Sequence, residues 1–524
     1  MHAFDTWIPD GGSWSTPIVR IRVGQPVEQT IAAYRTDNAI DQYPSAAAKL
    51  GSRLPTLARA PLLKADLWKG LLPFREWTPY LRQLPSPMLI HPVAYTLHGH
   101  DESDPDFLPP DPIWGTTADF AGMVDEAHAL GSLVMPYLNV SWWSLGSQTV
   151  QSLPPPLTPR SVAVLDTQGN PVVDHYNDRF GYTVSPDVPY VRSVVDRVIQ
   201  EFGTEVPADC LFFDQVGARP WRRDLNPAEP SPLAYYDGWL SVFAPFADRC
   251  IMSEDGWDRL AQSFSGFLGS ALSIGPLDLP PDQLWGAGNW QPYPLADWLL
   301  HDKVLMYQHD LYDGAMVTDL ENLSFDVTFG FQLSYEWSGW ANSLASPWLQ
   351  LVGAFQQALG PHYAGVPLAS WQDLGGGVSQ SVFGDLTVTS NLEGTAPYDA
   401  GGYGLPPQGF LARSADGMVV AGAFAGSFDG FPLSPGTHYL VVEREAGTTI
   451  VRQPVGASTA LAVDPPAGWT AGEPLVAQAY DDAGEPYGGP LAGSLQGGKF
   501  VFDCPGTDGG EQDLTVRITA GSGT

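Results

Sequence analysis

The chain has 524 residues, 44% hydrophobic and 16% charged, which is ample for packed cores and too long for one ordinary domain. Its 58 acidic and 25 basic side chains give a net charge of −33, a field that repels nucleic acid and anionic membrane surfaces and leaves neutral partners open. No run of 18 apolar residues predicts a membrane span, and the opening MHAFDTWIPDGG has neither the basic nor the apolar region of a signal peptide, so a cytoplasmic protein is expected unless the N-terminus is truncated.

Residues 1–59 contain one strand-like run, VRIRVG, and read as the remnant of a β-domain. From 60 to 368, short apolar runs alternate with amphipathic stretches, the pattern of repeated βα units. PLLKADLW (61–68) and MLIHPVAYTL (88–97) are the first two strands. A helix follows, capped by Thr116 or Thr117, with Phe120, Met123, Val124, Ala127 and Leu130 as its stripe and Gly131 as its stop. SLVMPYLNVSWW (132–143) is the third strand, and Pro189 opens a helix that carries Val191, Val194, Val195, Val198 and Phe202 and ends at Gly203. DCLFFDQVG (209–217) and RCIMSEDG (249–256) are the fourth and fifth strands. A sixth is placed near 267–274, a seventh at KVLMYQHDL (303–311) and an eighth at FDVTFGFQLSYEW (325–337), before a closing helix at 347–360. Eight such units without a glycine-rich phosphate turn predict an α/β chain with a (β/α)8 TIM barrel. The long loops at 144–187 and 275–300 are of a length that is usually functional. From 369 to 524 the texture becomes short β-runs between Gly, Pro and Asp turns, which predicts one or two antiparallel β-sandwich domains.

In a barrel the chemistry gathers at the C-terminal strand ends. Asp214 ends CLFF and Glu254 ends CIMS, each four residues beyond a cysteine, so the two strands look like variants of one template. Alternation puts Cys210, Phe212 and Asp214 on one face, and Cys250, Met252 and Glu254 likewise. About one βα unit separates the acids, which predicts neighbouring strands and two carboxylates facing one substrate. Glycoside hydrolysis requires that arrangement: one acid attacks or stabilises the anomeric carbon while the other donates a proton. A raised pKa is expected at Glu254. The alternative for either acid is to cap a helix or to pair with Arg219 or Arg259. Asp255 competes as proton donor, but alternation points it elsewhere.

Other polar residues near strand ends suit a hydroxyl-reading pocket: Lys64 and Asp66, His91 and Tyr95, Tyr137 and Asn139, Trp142 and Trp143, His309 and Asp310. The 18 tryptophans suit sugar stacking as well as a large core. No cofactor is expected; the acidic loop Asp101, Glu102, Asp104, Asp106 and Asp111 is the one candidate for Ca²⁺, against the commoner reading of a solvated loop. His98 and His100 form an H-x-H pair with no evident third zinc ligand. Cys210, Cys250 and Cys504 are expected as core thiols.

The run LPPDPIWGTTADFAGMVDEAHALGSLVMPYLN, then CLFFDQVG, then IMSEDG, resembles the barrel of retaining α-glycosidases related to endo-α-N-acetylgalactosaminidases, α-galactosidases and α-glucosidases. That resemblance implies a nucleophilic Asp at the fourth strand end and an acid/base Glu or Asp at the fifth, positions matched by Asp214 and Glu254. It also implies a C-terminal β-domain and α-linked galactose, N-acetylgalactosamine or glucose as substrate class. A non-catalytic carbohydrate-binding barrel, or a transglycosylase or inverting hydrolase on the same site, stands beside it. The large N-terminal β-sandwich common in such enzymes has no counterpart in this sequence.

Overall fold

The computed structural model describes residues 7–16, 18–176, 178–220, 222–269, 293–308, 317–339, 344, 346–481, 483–507 and 514–521. Twelve strands precede residue 340: β1 (Leu62–Asp66), β2 (Leu89–Val93), β3 (Leu133–Val134), β4 (Tyr137–Leu138), β5 (Trp142–Ser144), β6 (Val173–Tyr176), β7 (Arg179–Thr183), β8 (Cys210–Phe213), β9 (Cys250–Glu254), β10 (Gly266–Leu268), β11 (Leu305–Tyr307) and β12 (Ser334–Trp337). Nine of these pair in parallel as two arcs, β12-β1-β2-β3 and β11-β10-β9-β8-β4. The ladder is therefore not a closed ring. Its two seams lie between β3 and β4, where Pro136 interrupts the strand, and between β11 and β12, which a single parallel bridge from Tyr307 to Gln332 crosses.

Two helices pack as their stripes predict. Thr117–Ala129 starts at a capping box in which Thr116 and Asp119 satisfy each other's backbone N–H groups, and it buries Phe120, Met123, Val124 and Ala127. Pro189–Thr204 buries Val191, Val194, Val195, Val198, Ile199 and Phe202, and continues through Gly203 to Thr204. The closing helix is Pro347–Tyr363.

Three segments depart from expectation. The expected third strand is split: Trp142–Ser144 leaves the parallel arcs after the Asn139–Ser141 turn and joins the antiparallel sheet β5-β7-β6. The first part of the expected eighth strand is the helix Leu320–Thr328, because Asp319 caps it by accepting the Asn322 N–H and Gly330, at φ 65°, ends it. The N-terminal segment is helical over Val27–Asp37, Ala46–Leu50 and Leu54–Arg59, and VRIRVG is not in a strand. These helices are tied to the barrel by polar contacts. Arg35 pairs with Asp302 at 3.0 Å, and the buried Lys49 ammonium donates to the Ala261 carbonyl at 2.6 Å and to that of Phe264.

Beyond Leu368, ten strands form one large antiparallel sheet. One face shares the barrel's core through Phe383, Val388, Phe410, Ala421 and Val441. The other builds a second core with the three-stranded sheet Thr459–Val463, Gly493–Gln496 and Lys499–Cys504. Among the described residues no helix is long and apolar enough to cross a membrane.

Candidate active site

The ends of β8 and β9 are built alike. β8 pairs with β9 in the register Cys210↔Cys250 through Phe213↔Ser253, which sets Asp214 and Glu254 side by side at the rim. The residue after each acid turns left-handed, Gln215 at φ 64° and Asp255 at φ 48°. Such a backbone is costly without glycine and is held only where neighbours enforce it. Here it aims the Gln215 N–H at Glu254 Oε2, 3.1 Å away. Gly217 permits the close approach of the two rims: a Cβ there would stand 2.5 Å from the Glu254 carbonyl oxygen and 2.7 Å from that of Asp255.

Cys210 and Cys250 are not core thiols. They form a disulfide between β8 and β9, with Cα atoms 4.5 Å apart, as the in-register pairing allows. Cys504 is the buried free thiol, pushed up to about 12 by burial.

Asp214 and Glu254 open on a cavity of about 670 Å³ and are 8% and 9% exposed. The Tyr137 hydroxyl donates to Asp214 Oδ2 at 2.8 Å, with Asp101 Oδ1 as a second acceptor at 3.3 Å. The expected upward shift falls on Asp214. Burial pushes its carboxyl well above the usual range, and the charges of Glu254 and Asp101 and a hydrogen bond shared with Glu254 push the same way; the Tyr137 bond opposes them. Burial and the charges of Asp101 and Asp214 also hold the Tyr137 phenol protonated, so it remains a donor. Neither acid takes the alternative role with an arginine, since Arg219 pairs with Asp174 and Arg259 with Asp237. Asp255, pushed up to about 6 by burial and the Glu254 charge, does not line the cavity.

Of the remaining expected residues, Lys64, Asp66 and Tyr137 line the cavity. His91 does not: it is buried, bonded to the Met135 carbonyl at 2.6 Å, with its ring edge-on to Phe212. Tyr95 donates to the Tyr137 carbonyl at 2.8 Å and packs on Phe120. Asn139 is buried in its own turn. Trp142 and Trp143 are fully buried in the edge strand of the β5-β7-β6 sheet, so neither offers a ring face to sugar. Asn139, Trp142 and Trp143 are structural because the strand ends at Leu138 and the chain folds back before it reaches the mouth. His309 and Asp310 lie outside the described residues, as does most of the loop 275–300.

Sequence reading missed His100, Asp101, Lys69, Tyr176, Arg179, Gln215, Arg219 and Arg222 as cavity residues. Tyr176 and Arg179 come from the 144–187 loop, whose length was the signal. His100 and Asp101 come from segments weighed for metals instead. Four of the acidic loop's carboxylates serve protein donors: Asp101 and Glu102 take Tyr137 and Arg179, Asp106 caps Thr149, and Asp111 accepts the His98 and Ile113 N–H groups; Asp104 is buried with no donor among the described residues. Among the described residues no group of three His, Cys, Asp or Glu is arranged to hold a metal.

No protein-family model matches the chain, and no curated protein does. Solved structures do. The α-N-acetylgalactosaminidase NagBb from Bifidobacterium bifidum matches in its GalNAc complex, at TM-score 0.54 and 16% identity, over 70% of this chain and 61% of that one. Its ligand-free form matches at TM-score 0.56 and 17% identity, over 70% and 62%. The chain thus spans about six-tenths of the length of those structures. At such identity the likeness is one of fold. The chain resembles that α-N-acetylgalactosaminidase in fold.

Proposed function

We propose that the protein is a retaining glycosidase acting on α-linked sugars, with Asp214 as nucleophile and Glu254 as acid/base. The observation that carries this reading is the pair itself: two carboxyls on adjacent, in-register strand ends, open to one cavity. An inverting pair stands roughly 6.5–9.5 Å apart to admit water between its members, and retaining pairs stand roughly 5–5.5 Å apart. Carboxyls on directly paired strands favour the second.

The chemistry follows in two steps. Ionised Asp214 attacks the anomeric carbon while the Glu254 proton passes to the leaving oxygen, so one C–O bond forms as another breaks. Glu254, now a carboxylate, takes a proton from water. The resulting hydroxide attacks the same carbon and releases Asp214. The Tyr137 hydroxyl, donating to Oδ2, favours the ionised form of Asp214 against the burial and neighbouring charges that raise its pKa. The Gln215 N–H orients Glu254 and can serve the carbonyl oxygen of its protonated form. The α preference rests on the likeness to NagBb and on the sequence resemblance; galactose, N-acetylgalactosamine and glucose glycosides are the first substrates to try.

The test is a panel of aryl α- and β-glycosides with the wild type beside Asp214→Ala and Glu254→Gln. Turnover of an α-glycoside with retention, lost by at least about 10³-fold in either variant with folding intact, is expected. Wild-type-like turnover in either variant, or an inverted product, would overturn the assignment.

A further inference from the structure

The cavity wall opposite β1 is basic in a chain that is otherwise strongly acidic. The β6–β7 hairpin and the loop after β8 bring Arg179, Arg219 and Arg222 to it, with Tyr176 among them. Their acidic partners are Asp174 and Glu102. Three guanidiniums thus share two carboxylates. This wall is therefore locally basic, in a cavity that Asp66, Asp101, Asp214 and Glu254 also line and in a chain that carries −33.

The three arginines are used differently. Arg219 is buried and committed to the fold: it donates to Asp174 at 2.9 Å, to Ser141 at 3.0 Å, and to Gln215. Arg222 spends one Nη2 bond on Asp174, at 2.6 Å, and its buried Nε has no acceptor. Among the described residues Arg179 gives only its Nε, to Glu102 at 2.8 Å. Two guanidinium forks therefore reach the cavity with donors to spare. A buried charged donor without an acceptor is costly, and an oxyanion that presents two oxygens is the group a guanidinium fork matches in geometry as well as charge. Sugar hydroxyls could bond these donors but would leave the surplus charge uncompensated. An anionic substrate also needs local attraction to approach a protein of this net charge, and such a wall supplies it.

We propose that the substrate carries an oxyanion, a carboxylate or a sulfate ester, which Arg222 and Arg179 receive while the anomeric carbon sits at Asp214 and Glu254. The proposal rests on the glycosidase reading for the second half of that placement only; the oxyanion wall can be tested without turnover.

The experiment compares methyl and aryl α-glycosides of galactose and glucose with their C6-carboxylate and their 3-, 4- and 6-O-sulfate counterparts. Binding is read by intrinsic tryptophan fluorescence and by calorimetry, and turnover by aryl release. At least one anionic counterpart should bind and turn over about 10-fold or more better than its neutral parent, the response to carboxylate against sulfate naming the group. The preference should shrink as salt rises and fall in Arg222→Gln and Arg179→Gln. Tighter binding of an anionic glycoside with no turnover of any compound would keep the oxyanion wall and sink the glycosidase reading. Turnover of neutral glycosides with no anionic preference at low salt would overturn the oxyanion wall and leave the glycosidase. Wild-type selectivity decides the matter even if an arginine variant fails to fold.

Discussion

Cys210 is joined to Cys250 across β8 and β9, four residues before Asp214 on one strand and four before Glu254 on the other. The bond fixes the register of the two strands whose ends carry the carboxyl pair. A one-residue slip would turn one of the acids to the other face of the sheet, so register and site geometry are the same problem at this place.

Thiol titration in denaturant should therefore find one cysteine, Cys504, in the untreated protein, and three after reduction. Closing a loop of 40 residues is worth about 4 kcal/mol on the chain-entropy account. Cys210→Ala with Cys250→Ala should lower the melting temperature accordingly and reduce kcat more than it raises KM. Three titratable thiols before reduction would refute the bond. Such a bond is uncommon in reducing compartments, which weighs against the cytoplasmic expectation.

Tyr137 bears on the ionisation of Asp214. Its hydrogen bond lowers that carboxyl's pKa against the larger effects of burial and neighbouring charge. In Tyr137→Phe the opposing effects act alone and Asp214 holds its proton to higher pH. With an ionised nucleophile required, the acid limb of kcat/KM should move to higher pH. The plateau should fall roughly 10- to 150-fold, the worth of a hydrogen bond to a charged group. An unmoved acid limb would separate Tyr137 from the nucleophile.

The legibility of this chain is uneven for physical reasons. Asp214 and Glu254 could be located because a carboxylate that ends a buried run is a local pattern, and because CLFFD and CIMSE repeat it. Helix Thr117–Ala129 could be read from its cap and stripe. The disulfide could not, since 40 residues of spacing say nothing until the strands are known to pair in register. Trp142 and Trp143 misled because they follow a strand in sequence yet fold back as the edge strand beside a hairpin. Leu320–Thr328 misled because FDVTFGF alternates like a strand while Asp319, outside that window, caps a helix. The arginine wall arises where two loops meet, and no window of sequence contains it.

Asp214 should also show a cost in stability. Its folded pKa is raised above the unfolded value near 4, so the native state binds more protons than the unfolded one above that pH. Its contribution to stability is present in full below about pH 4 and is lost as pH rises through the folded pKa. Asp214→Asn removes the buried ionisation and can still accept from Tyr137. Its melting temperature should match wild type near pH 4 and exceed it by a widening margin of a few degrees toward pH 8, while turnover is lost. A constant difference across that range would place the shift elsewhere.

Gly217 tests whether the spacing of the two rims, apart from the acids themselves, governs rate. It bears no functional group, yet a Cβ would fall within 2.7 Å of the Glu254 and Asp255 carbonyl oxygens and of Ser253 Oγ. Two of these are backbone atoms, which cannot swing aside as a side-chain tip can, so Gly217→Ala must move the loop after β8 away from the end of β9. Overpacking of this kind costs about 1–3 kcal/mol of stability, and a displacement of about 1 Å between reacting groups costs on the order of 100-fold in rate. The variant should fold with a modestly lower melting temperature, keep both carboxyls, and lose kcat by one to two orders of magnitude with a smaller change in KM. Substitution at Gly489, where no atom lies within 4 Å of the added Cβ and the backbone is not left-handed, gives the control for a glycine in the C-terminal sheet. Equal rates for Gly217→Ala and wild type would mean that the rims relax without consequence, and that the contact between Asp214 and Glu254 does not depend on how closely β8 and β9 are drawn together.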